Sequence, residues 1–166
     1  MVPGTIVLIM HRLYENEDIT VFWDSDKCRH ARQCVYNSPE VFNRDKRPWI
    51  DISAAENAKI WQTVEKCPTG ALTCAYNHGI RIEFDEAREC AIALDGDAEI
   101  GECCYEAGAD GWTIYHTGVR PEYGGKGIAK RLVFKVLEEA ERRKITPHAT
   151  CSYAAKILVP GTMNKL

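Results

Sequence analysis

The first regular pattern of hydrophobic positions along the chain begins at Asp18. Ile19, Val21 and Trp23 recur with a period of two, which is typical of a half-buried strand. A second short strand is predicted over residues 48–52. Residues 1–17 precede this pattern, and we expect them to form a poorly ordered leader.

A helix is predicted between the second strand and Pro68. Residues 53–56 read Ser-Ala-Ala-Glu, the form of a capping box in which each side chain satisfies the other residue's free backbone N–H. The apolar positions that follow recur at helical spacing: Ile60, Trp61, Val64 and Cys67. Pro68 ends the helix because proline has no N–H to donate. Residues 76–79 carry turn chemistry, and we place a boundary between two units there.

The second unit begins as a run of strands. Four are predicted, with hairpin turns at 95–97 and 109–111: residues 81–84, 89–95, 98–106 and 111–119. A glycine-rich loop at 122–127 then leads into a long amphipathic helix. Its apolar face carries Ile128, Leu132, Val136, Leu137 and Ala140, and its other face carries Lys130, Arg131, Glu138, Glu141 and Arg142. A strand at 147–151 and a short helix at 153–158 follow.

These elements predict an α+β fold. After the leader at 1–17, one small domain covers residues 18–78. A second domain covers residues 79–166 and has a mostly antiparallel sheet. The chain of 166 residues has the length of one domain or of two small ones.

Charge and hydropathy exclude several classes of protein. The net charge is −3, whereas a protein that coats nucleic acid needs clustered excess cations. The apolar run nearest the start, residues 6–10, is far shorter than the roughly 20 residues of a membrane-spanning helix. The N-terminus also lacks the basic cluster and small-residue cleavage site of a signal peptide. We therefore expect a cytoplasmic protein without nucleic-acid or membrane partners.

The chain contains eight cysteines, and four of them lie in its first half. In a reducing compartment, clustered cysteines indicate metal binding or catalysis. Cys28 and Cys34 stand where the first and third cysteines of a C-x2-C-x2-C cluster motif would stand, and Ala31 takes the middle position. Cys67-Pro68 supplies the remote Cys-Pro that such motifs add. Soft, anionic thiolates are needed because they spread charge over iron and sulfide.

Alternatives for this cysteine set remain open. Either a 3Fe–4S cluster forms, or His30, Cys74 or a small molecule completes a 4Fe–4S cluster. Zinc would also accept Cys28, His30, Cys34 and Cys67 as a Cys3His set. A third reading is that the cysteines are buried structural residues.

The first unit resembles a divergent family of single-cluster, ferredoxin-like iron–sulfur domains over about residues 18–74. Five matching segments carry the resemblance: Trp23-Asp24, Cys28–His30, Cys34-Val35, Pro39–Phe42 and Cys67–Leu72. The resemblance implies one iron–sulfur cluster.

The glycine-rich loop suits an anion. Gly124, Gly125 and Gly127 allow a tight turn and close approach of a ligand, and the helix that follows offers free N–H groups and a positive dipole end. The loop is not a P-loop, because Lys126 lies between glycines. It is not a dinucleotide fingerprint either, because the preceding strands are predicted to be antiparallel.

Residues 80–160 resemble the short members of the GNAT superfamily of N-acetyltransferases, whose pyrophosphate loop reads Q/R-x-x-G-x-G/A. Gly127 and Ala129 take its two small-residue positions, while Gly124 stands where Gln or Arg is usual. The resemblance implies acetyl-CoA in a notch between strands 112–119 and 147–151. The residues it assigns to the cofactor are Thr117, Val119, Gly124, Gly125, Lys126, Gly127, Ile128 and Ala129.

Amide formation from a thioester suggests the catalytic candidates. His116 can act as the base that takes the amine proton, and backbone N–H groups at 117–119 can stabilise the oxyanion. Cys151 would lie near the thioester and could take the acetyl group covalently, with Tyr153 as the acid. Each of the three side chains also has a plain structural reading. Cys103 and Cys104 should point to opposite faces of one strand and serve in packing.

The sequence therefore predicts an iron–sulfur-containing N-acetyltransferase that transfers acetyl from acetyl-CoA to an amine and is regulated by cluster redox state. The open site of a short domain favours a large acceptor such as a protein. An alternative is an electron-transfer or redox-sensing protein, with a redox partner, whose C-terminal domain only binds acyl-CoA. A zinc-stabilised interaction module is a third hypothesis.

Overall fold

The computed structural model describes residues 11–158. It contains eight strands and four helices within that range. The strands are β1 His11–Glu15, β2 Ile19–Asp24, β3 Leu72–Tyr76, β4 Ile80–Asp85, β5 Cys90–Asp95, β6 Ala98–Gly108, β7 Gly111–Val119 and β8 Pro147–Ala149. The helices are α1 Gln33–Asn37, α2 Asn57–Glu65, α3 Ile128–Arg142 and α4 Ser152–Leu158.

Two sheets form, and both follow chain order. The first is antiparallel, in the order β1-β2-β3. The second has the order β4-β5-β6-β7-β8, and only its last pair is parallel. The predicted α+β class with a mostly antiparallel second sheet is confirmed.

Helix α3 lies between the two sheets. Its apolar face packs on the second sheet, where Leu132, Val136 and Ala140 join Ile114 in the main core. On its other side Phe134 packs against Leu13 and Phe22 of the first sheet. The face expected to be polar is thus largely covered rather than solvated.

The burial of Arg131 shows how packing of the first sheet against α3 changes the predicted exposure of that helix. Arg131 was predicted on the polar face, but it is only 2% exposed. Its guanidinium donates to the Ile80 carbonyl at 3.0 Å and reaches the Glu15 carboxylate at 3.4 Å. Arg12 likewise reaches from β1 to Glu141 at 3.0 Å. Charged side chains of α3 therefore connect the two halves of the chain.

The predicted leader is wrong for residues 11–17. His11–Glu15 pairs with β2 over its whole length, and the Asn16 side chain accepts the N–H groups of Asp18 and Ile19 in the connecting turn. Residues 1–10 lie outside the described range. The boundaries 18–78 and 79–166 stay a proposal, now with β1 assigned to the first unit.

Two local predictions in the first unit are also wrong. Residues 48–52 do not form a strand, because only Ile50 pairs, through an isolated bridge to Phe42. Ser53 does not open a capping box: its hydroxyl bonds Asp51, and the helix starts at Asn57 after an N-cap Glu56 without a side-chain cap bond. Strand β3 and the short helix α1 were not predicted.

Candidate functional site

The loop from Cys28 to Cys34 lines one cavity. A 3₁₀ turn at Ser25–Lys27 precedes it, and Cys34 lies in the first turn of α1. His30 and Arg32 both take left-handed backbone angles, with φ of 57° and 62°. Changes of backbone hand over a few residues turn successive N–H groups toward one concavity, an arrangement found at anion and iron–sulfur sites.

The three predicted cysteine ligands share one cavity, which His30 also lines. Cys28, Cys34 and Cys67 line a space of about 390 Å³, and all three are free, half-buried thiols. The structure therefore brings together cysteines from two distant parts of the chain. The apolar walls of the cavity come from Trp23, Val35, Trp49 and Leu72.

Hydrogen bonds prepare Cys67 to be a thiolate. Burial raises the pKa of the Cys67 thiol, but bonds to its sulfur outweigh that effect, so its pKa lies below the usual value. The donors are the backbone N–H groups of Leu72, Thr69 and Ala71 and the Thr69 hydroxyl. In contrast, burial keeps the pKa of Cys34 above its usual value, and the neighbouring Cys67 and Cys28 add to this. Neighbouring thiolates repel one another, and binding the same cation removes that repulsion.

Cationic side chains surround the same cavity. No acidic residue of the described chain lines it, whereas five arginines do: Arg12, Arg29, Arg32, Arg44 and Arg47. A cluster with thiolate ligands carries negative charge, which such a rim offsets. The donor set and the electrostatics of the cavity thus fit an iron–sulfur cluster.

The candidates for the fourth ligand differ in their positions. His30 and Ala31 are exposed and line the cavity. Cys74 lies on β3, where it packs against the first core, and burial raises its pKa to about 12. Cys74 does not line the cavity, so its geometry matches the structural reading of that cysteine.

The notch expected in the second sheet lies between β7 and β8. These strands pair only over Trp112–Ile114 and Pro147–Ala149. The Ile114 carbonyl then accepts the N–H groups of Thr150 and Cys151, at 2.9 and 3.1 Å, which closes the pairing. A register shift opposite Cys104/Tyr105 follows in β7. Past this point the notch-facing edge of β7 is without a paired strand in the described chain.

Cys151 lies in this notch. Its thiol donates to the Thr117 hydroxyl at 3.6 Å. Burial raises the pKa of Cys151, but hydrogen bonds outweigh that effect and leave the pKa below its usual value. The bonds that lower the pKa are those with the N–H groups of Ala154, Tyr153 and Thr117 and with the Thr117 hydroxyl. Because the Thr117 N–H points into the notch, strand alternation directs the Val119 N–H there too.

His116 does not lie beside Cys151. It neighbours Thr117 in the strand, so its side chain points to the opposite face of the sheet. There its Nε2 lies 3.5 Å from a Glu102 carboxylate oxygen. The lowered pKa of Cys151 therefore owes nothing to the imidazole and comes from the hydrogen bonds made with its sulfur.

Tyr153 lines a cleft between the two halves of the chain. This cavity of about 180 Å³ also contains Lys27, Lys130 and Lys156. Burial raises the pKa of Tyr153, so its phenol keeps its proton at neutral pH. Burial, and then the charge of Lys27, lower the pKa of Lys130 to about 8.

Two glycines of the loop take left-handed backbone angles. Gly125 and Gly127 have φ of 76° and 74°, and Gly127 is the N-cap of α3. The Lys126 ammonium lies over the Tyr123 ring, 5.4 Å from its centroid. The first N–H groups of a helix have no partner within the helix, so those at Ile128 and Ala129 are available to an anion.

A disulfide was missed by the sequence reasoning. Cys104 was expected to serve only in packing, but it is bonded to Cys90 on the neighbouring strand. Cys103, on the other face, is a fully buried core residue as expected. The spacing of Cys90 and Cys104 around the 95–97 turn was the available signal, because it makes them cross-strand partners once the hairpin register is known.

Comparisons with known proteins match two separate parts of the chain to two families. Residues 14–77 match the model of a divergent 4Fe-4S mono-cluster family, and residues 89–160 match that of a GCN5-related N-acetyl-transferase family. The uncharacterized protein YjdI of Escherichia coli K12 is 32% identical over 68 residues, which cover 41% of this chain and 87% of YjdI. The protein of that name from Escherichia coli O157:H7 gives the same values.

Two solved structures have a weaker likeness. The GCN5-related N-acetyltransferase from Sphaerobacter thermophilus aligns with a TM-score of 0.37 and 19% identity, over 82% of this chain and 36% of that one. This chain thus spans about a third of that protein. A transcriptional regulator from Bacillus halodurans C-125 aligns with a TM-score of 0.35 and 15% identity, over 89% and 92%. At these scores neither likeness bears on activity. Within residues 11–158, no helix has both the length and the apolar character that crossing a membrane requires.

Proposed function

We propose a function from the premise that this chain belongs to two families: the divergent 4Fe-4S mono-cluster family through residues 14–77 and the GCN5-related N-acetyltransferase family through residues 89–160. On that premise, the chain transfers an acetyl group from acetyl-CoA to an amine and holds one iron–sulfur cluster. The observation that carries the transfer reaction is the position of Cys151. Its sulfur lies in the β7–β8 notch with a lowered pKa.

Cys28, Cys34 and Cys67 would hold the cluster, which supplies one-electron chemistry when bound. The N–H groups around Cys67 stabilise its thiolate, and the arginine rim offsets the added negative charge. His30 is the candidate for a fourth protein ligand, because it lines the cavity. If His30 is not a ligand, either a small molecule takes the fourth ligand position on the Ala31 side of the loop, or the cluster is a 3Fe–4S cluster.

Acetyl-CoA would bind with its pyrophosphate on the loop Gly124–Ala129 and its thioester in the notch. Free N–H groups at the start of α3 suit the phosphate anions. The N–H of Val119 is the candidate oxyanion donor, since that of Thr117 is taken by the Cys151 sulfur.

Cys151 would act as a nucleophile. Its thiolate attacks the acetyl carbonyl, the C–S bond to CoA breaks, and the departing CoA thiolate takes a proton from Tyr153. The amine then attacks the acetyl-Cys151 thioester and the amide forms. The Cys151 thiolate is regenerated, and the amine proton passes through water to the Tyr153 phenolate. Splitting the transfer in this way relies on a thiol that is ionised near neutral pH, which the donors around Cys151 favour.

A Cys151→Ser variant tests the covalent route, because serine keeps nearly the same volume and loses the strong nucleophile. Wild type incubated with acetyl-CoA should carry one acetyl group on the Cys151 peptide by mass spectrometry. The variant should carry none and should transfer acetyl at least about tenfold more slowly. Cys74→Ser, in the other half of the chain, is the matched control. Unchanged transfer by Cys151→Ser would leave direct attack by the amine, with His116 or water as the base.

The cluster assignment has its own test. Cys34→Ala should lose most of its iron and sulfide after anaerobic purification, whereas Cys74→Ala should retain both, because Cys74 does not line the cavity. Equal iron in the two variants would contradict the assignment.

The arginine rim supports a second candidate function. Electron transfer with an acidic redox partner would use that rim for docking, and the C-terminal domain would then only bind acyl-CoA. Binding of acetyl-CoA without transfer to any amine in a broad panel would favour this alternative.

A further inference from the structure

A row of potential metal ligands crosses three strands on the face of the second sheet opposite α3. Cys90 on β5 is the direct cross-strand partner of Cys104 on β6, and Cys104 is the direct partner of His116 on β7. Glu102 is two residues from Cys104 in the same strand, so its side chain shares this face. Neither family resemblance nor the transfer reaction uses this row as a unit.

The ligand atoms are within reach of one ion. Cys90, Glu102 and Cys104 each offer one such atom, and these all lie within 4.8 Å of one another. The Nε2 of His116 lies outside this set of three, 3.5 Å from a Glu102 oxygen, and its half-exposed side chain would turn toward the ion to add a fourth donor. Two thiolates, an imidazole and a carboxylate are a set that zinc binds in tetrahedral geometry.

The surroundings of the row suit a site that an ion can enter from solvent and that side chains can then cover. Cys90 and Cys104 are each 5% exposed and pack with Ile92, whereas the His116 side chain is about half exposed. Besides its approach to His116, Glu102 has one long contact to Arg88, at 3.4 Å, in the described chain. Arg88 has shorter bonds to Glu99, at 2.8 and 2.9 Å, so Glu102 can turn to an ion without leaving Arg88 unpaired.

We propose that Cys90, Cys104, Glu102 and His116 form a redox-dependent zinc site, which binds Zn²⁺ when the Cys90–Cys104 disulfide is reduced. A dithiol reductant gives two electrons and two protons to the S–S bond. That bond breaks into two thiols, and the reductant becomes a disulfide. Zn²⁺ then replaces the two thiol protons, which pass to water. An imidazole bound to zinc cannot accept a proton, so the direct route with His116 as base would be closed in the zinc form.

The experiment measures zinc bound per chain by the full-length, cluster-loaded protein, with and without a dithiol reductant. Loading the cluster first occupies Cys28, Cys34 and Cys67. We expect one zinc per chain after reduction and none in the disulfide form. Adding an oxidant to the zinc form should release the zinc.

Matched variants locate the site. Cys104→Ser should lose the bound zinc, whereas Cys103→Ala, the adjacent residue on the other face, should keep it. Glu102→Gln and His116→Ala should each weaken zinc binding at least about tenfold. If cluster loading perturbs the measurement, a Cys34→Ala background should still bind zinc in a Cys104-dependent way.

Zinc binding that is equal in oxidised and reduced protein, or that survives Cys104→Ser, would overturn the proposal. So would a reduced, folded wild type that binds no zinc. The proposal stands apart from acetyl transfer, because its readout is zinc content and neither acetyl-CoA nor Cys151 takes part.

Discussion

Gly127 lies directly against Ala75: a Cβ placed on Gly127 would stand 2.9 Å from the Ala75 methyl carbon. This contact joins the glycine loop before α3 to strand β3 of the first unit. Gly127 also has a φ of 74°, which disfavours other residues. A substitution at Gly127 therefore disturbs the packing of the two halves as well as any anion on the loop.

Gly125 allows a cleaner test of the acetyl-CoA site. Its φ is 76°, and a Cβ there would meet nothing within 4 Å. Asn and Asp both tolerate such angles, so Gly125→Asn and Gly125→Asp differ mainly in charge. Gly125→Asp should bind acetyl-CoA at least about tenfold more weakly than Gly125→Asn, or by about 1.4 kcal/mol, in a calorimetric titration. Equal affinities in two folded variants would count against the loop as the phosphate site.

The second sheet could be predicted because its strands alternate clearly and its turns carry Gly and Asp. Strand β7 has the predicted bounds, and β4, β5 and β6 differ from theirs by one or two residues. Strands β1 and β3 were missed because each is only five residues long and has few buried positions. A short strand of this kind is specified mainly by its neighbours in the sheet.

The candidate sites also differ in whether their signal is local in the sequence or depends on the fold. The spacing of Cys28, Cys34 and Cys67-Pro68 is a local signal, and the structure gathers those thiols in one cavity. The Cys90–Cys104 pair depends on strand register, and the burial of Arg131 depends on a second layer over α3. Neither relationship is present in a one-dimensional pattern.

Restoring the middle cysteine should strengthen the cluster. Ala31 is exposed and lines the cavity between Cys28 and Cys34. Ala31→Cys would complete the C-x2-C-x2-C spacing and supply a fourth thiolate. We expect the variant to release iron to a chelator at least about tenfold more slowly than wild type. Ala31→Ser is the control for size and polarity, and iron loss as fast as in that control would show that the loop does not direct position 31 at the cluster.

Cys151 should be alkylated at a lower pH than Cys103. The donors around Cys151 lower its pKa, whereas burial raises the pKa of Cys103 to about 12. Alkylation requires the thiolate, so iodoacetamide near neutral pH should label the Cys151 peptide and leave Cys103 unlabelled. Peptide mass spectrometry over a pH series measures both residues in one sample. Unfolded protein, in which both thiols react alike, is the control. A folded protein that labels Cys103 first would contradict the environment described for Cys151.

The Lys130 ammonium should make stability depend on alkaline pH. It lies in the cleft between the halves, donates to the Thr73 hydroxyl at 2.6 Å and stands over the Phe22 ring. Burial, followed by the charge of Lys27, lowers its pKa to about 8, against roughly 10.4 for an unfolded lysine.

The direction of the effect follows from proton counts. Below about pH 8 both states are protonated, and the folded state bears the full cost of the buried charge. Between about pH 8 and 10.4 the unfolded chain holds more protons, so this residue's contribution to the free energy of unfolding rises with pH.

Lys130→Met removes the contribution. The melting temperature of wild type relative to Lys130→Met should therefore rise from about pH 7.5 to about pH 10, measured anaerobically on cluster-loaded protein. Lys135→Met, on the same helix but outside the cleft, should run parallel to wild type. A pH-independent difference between wild type and Lys130→Met would mean that the cleft does not penalise the ammonium, and that Lys130 acts there only through its bond to Thr73.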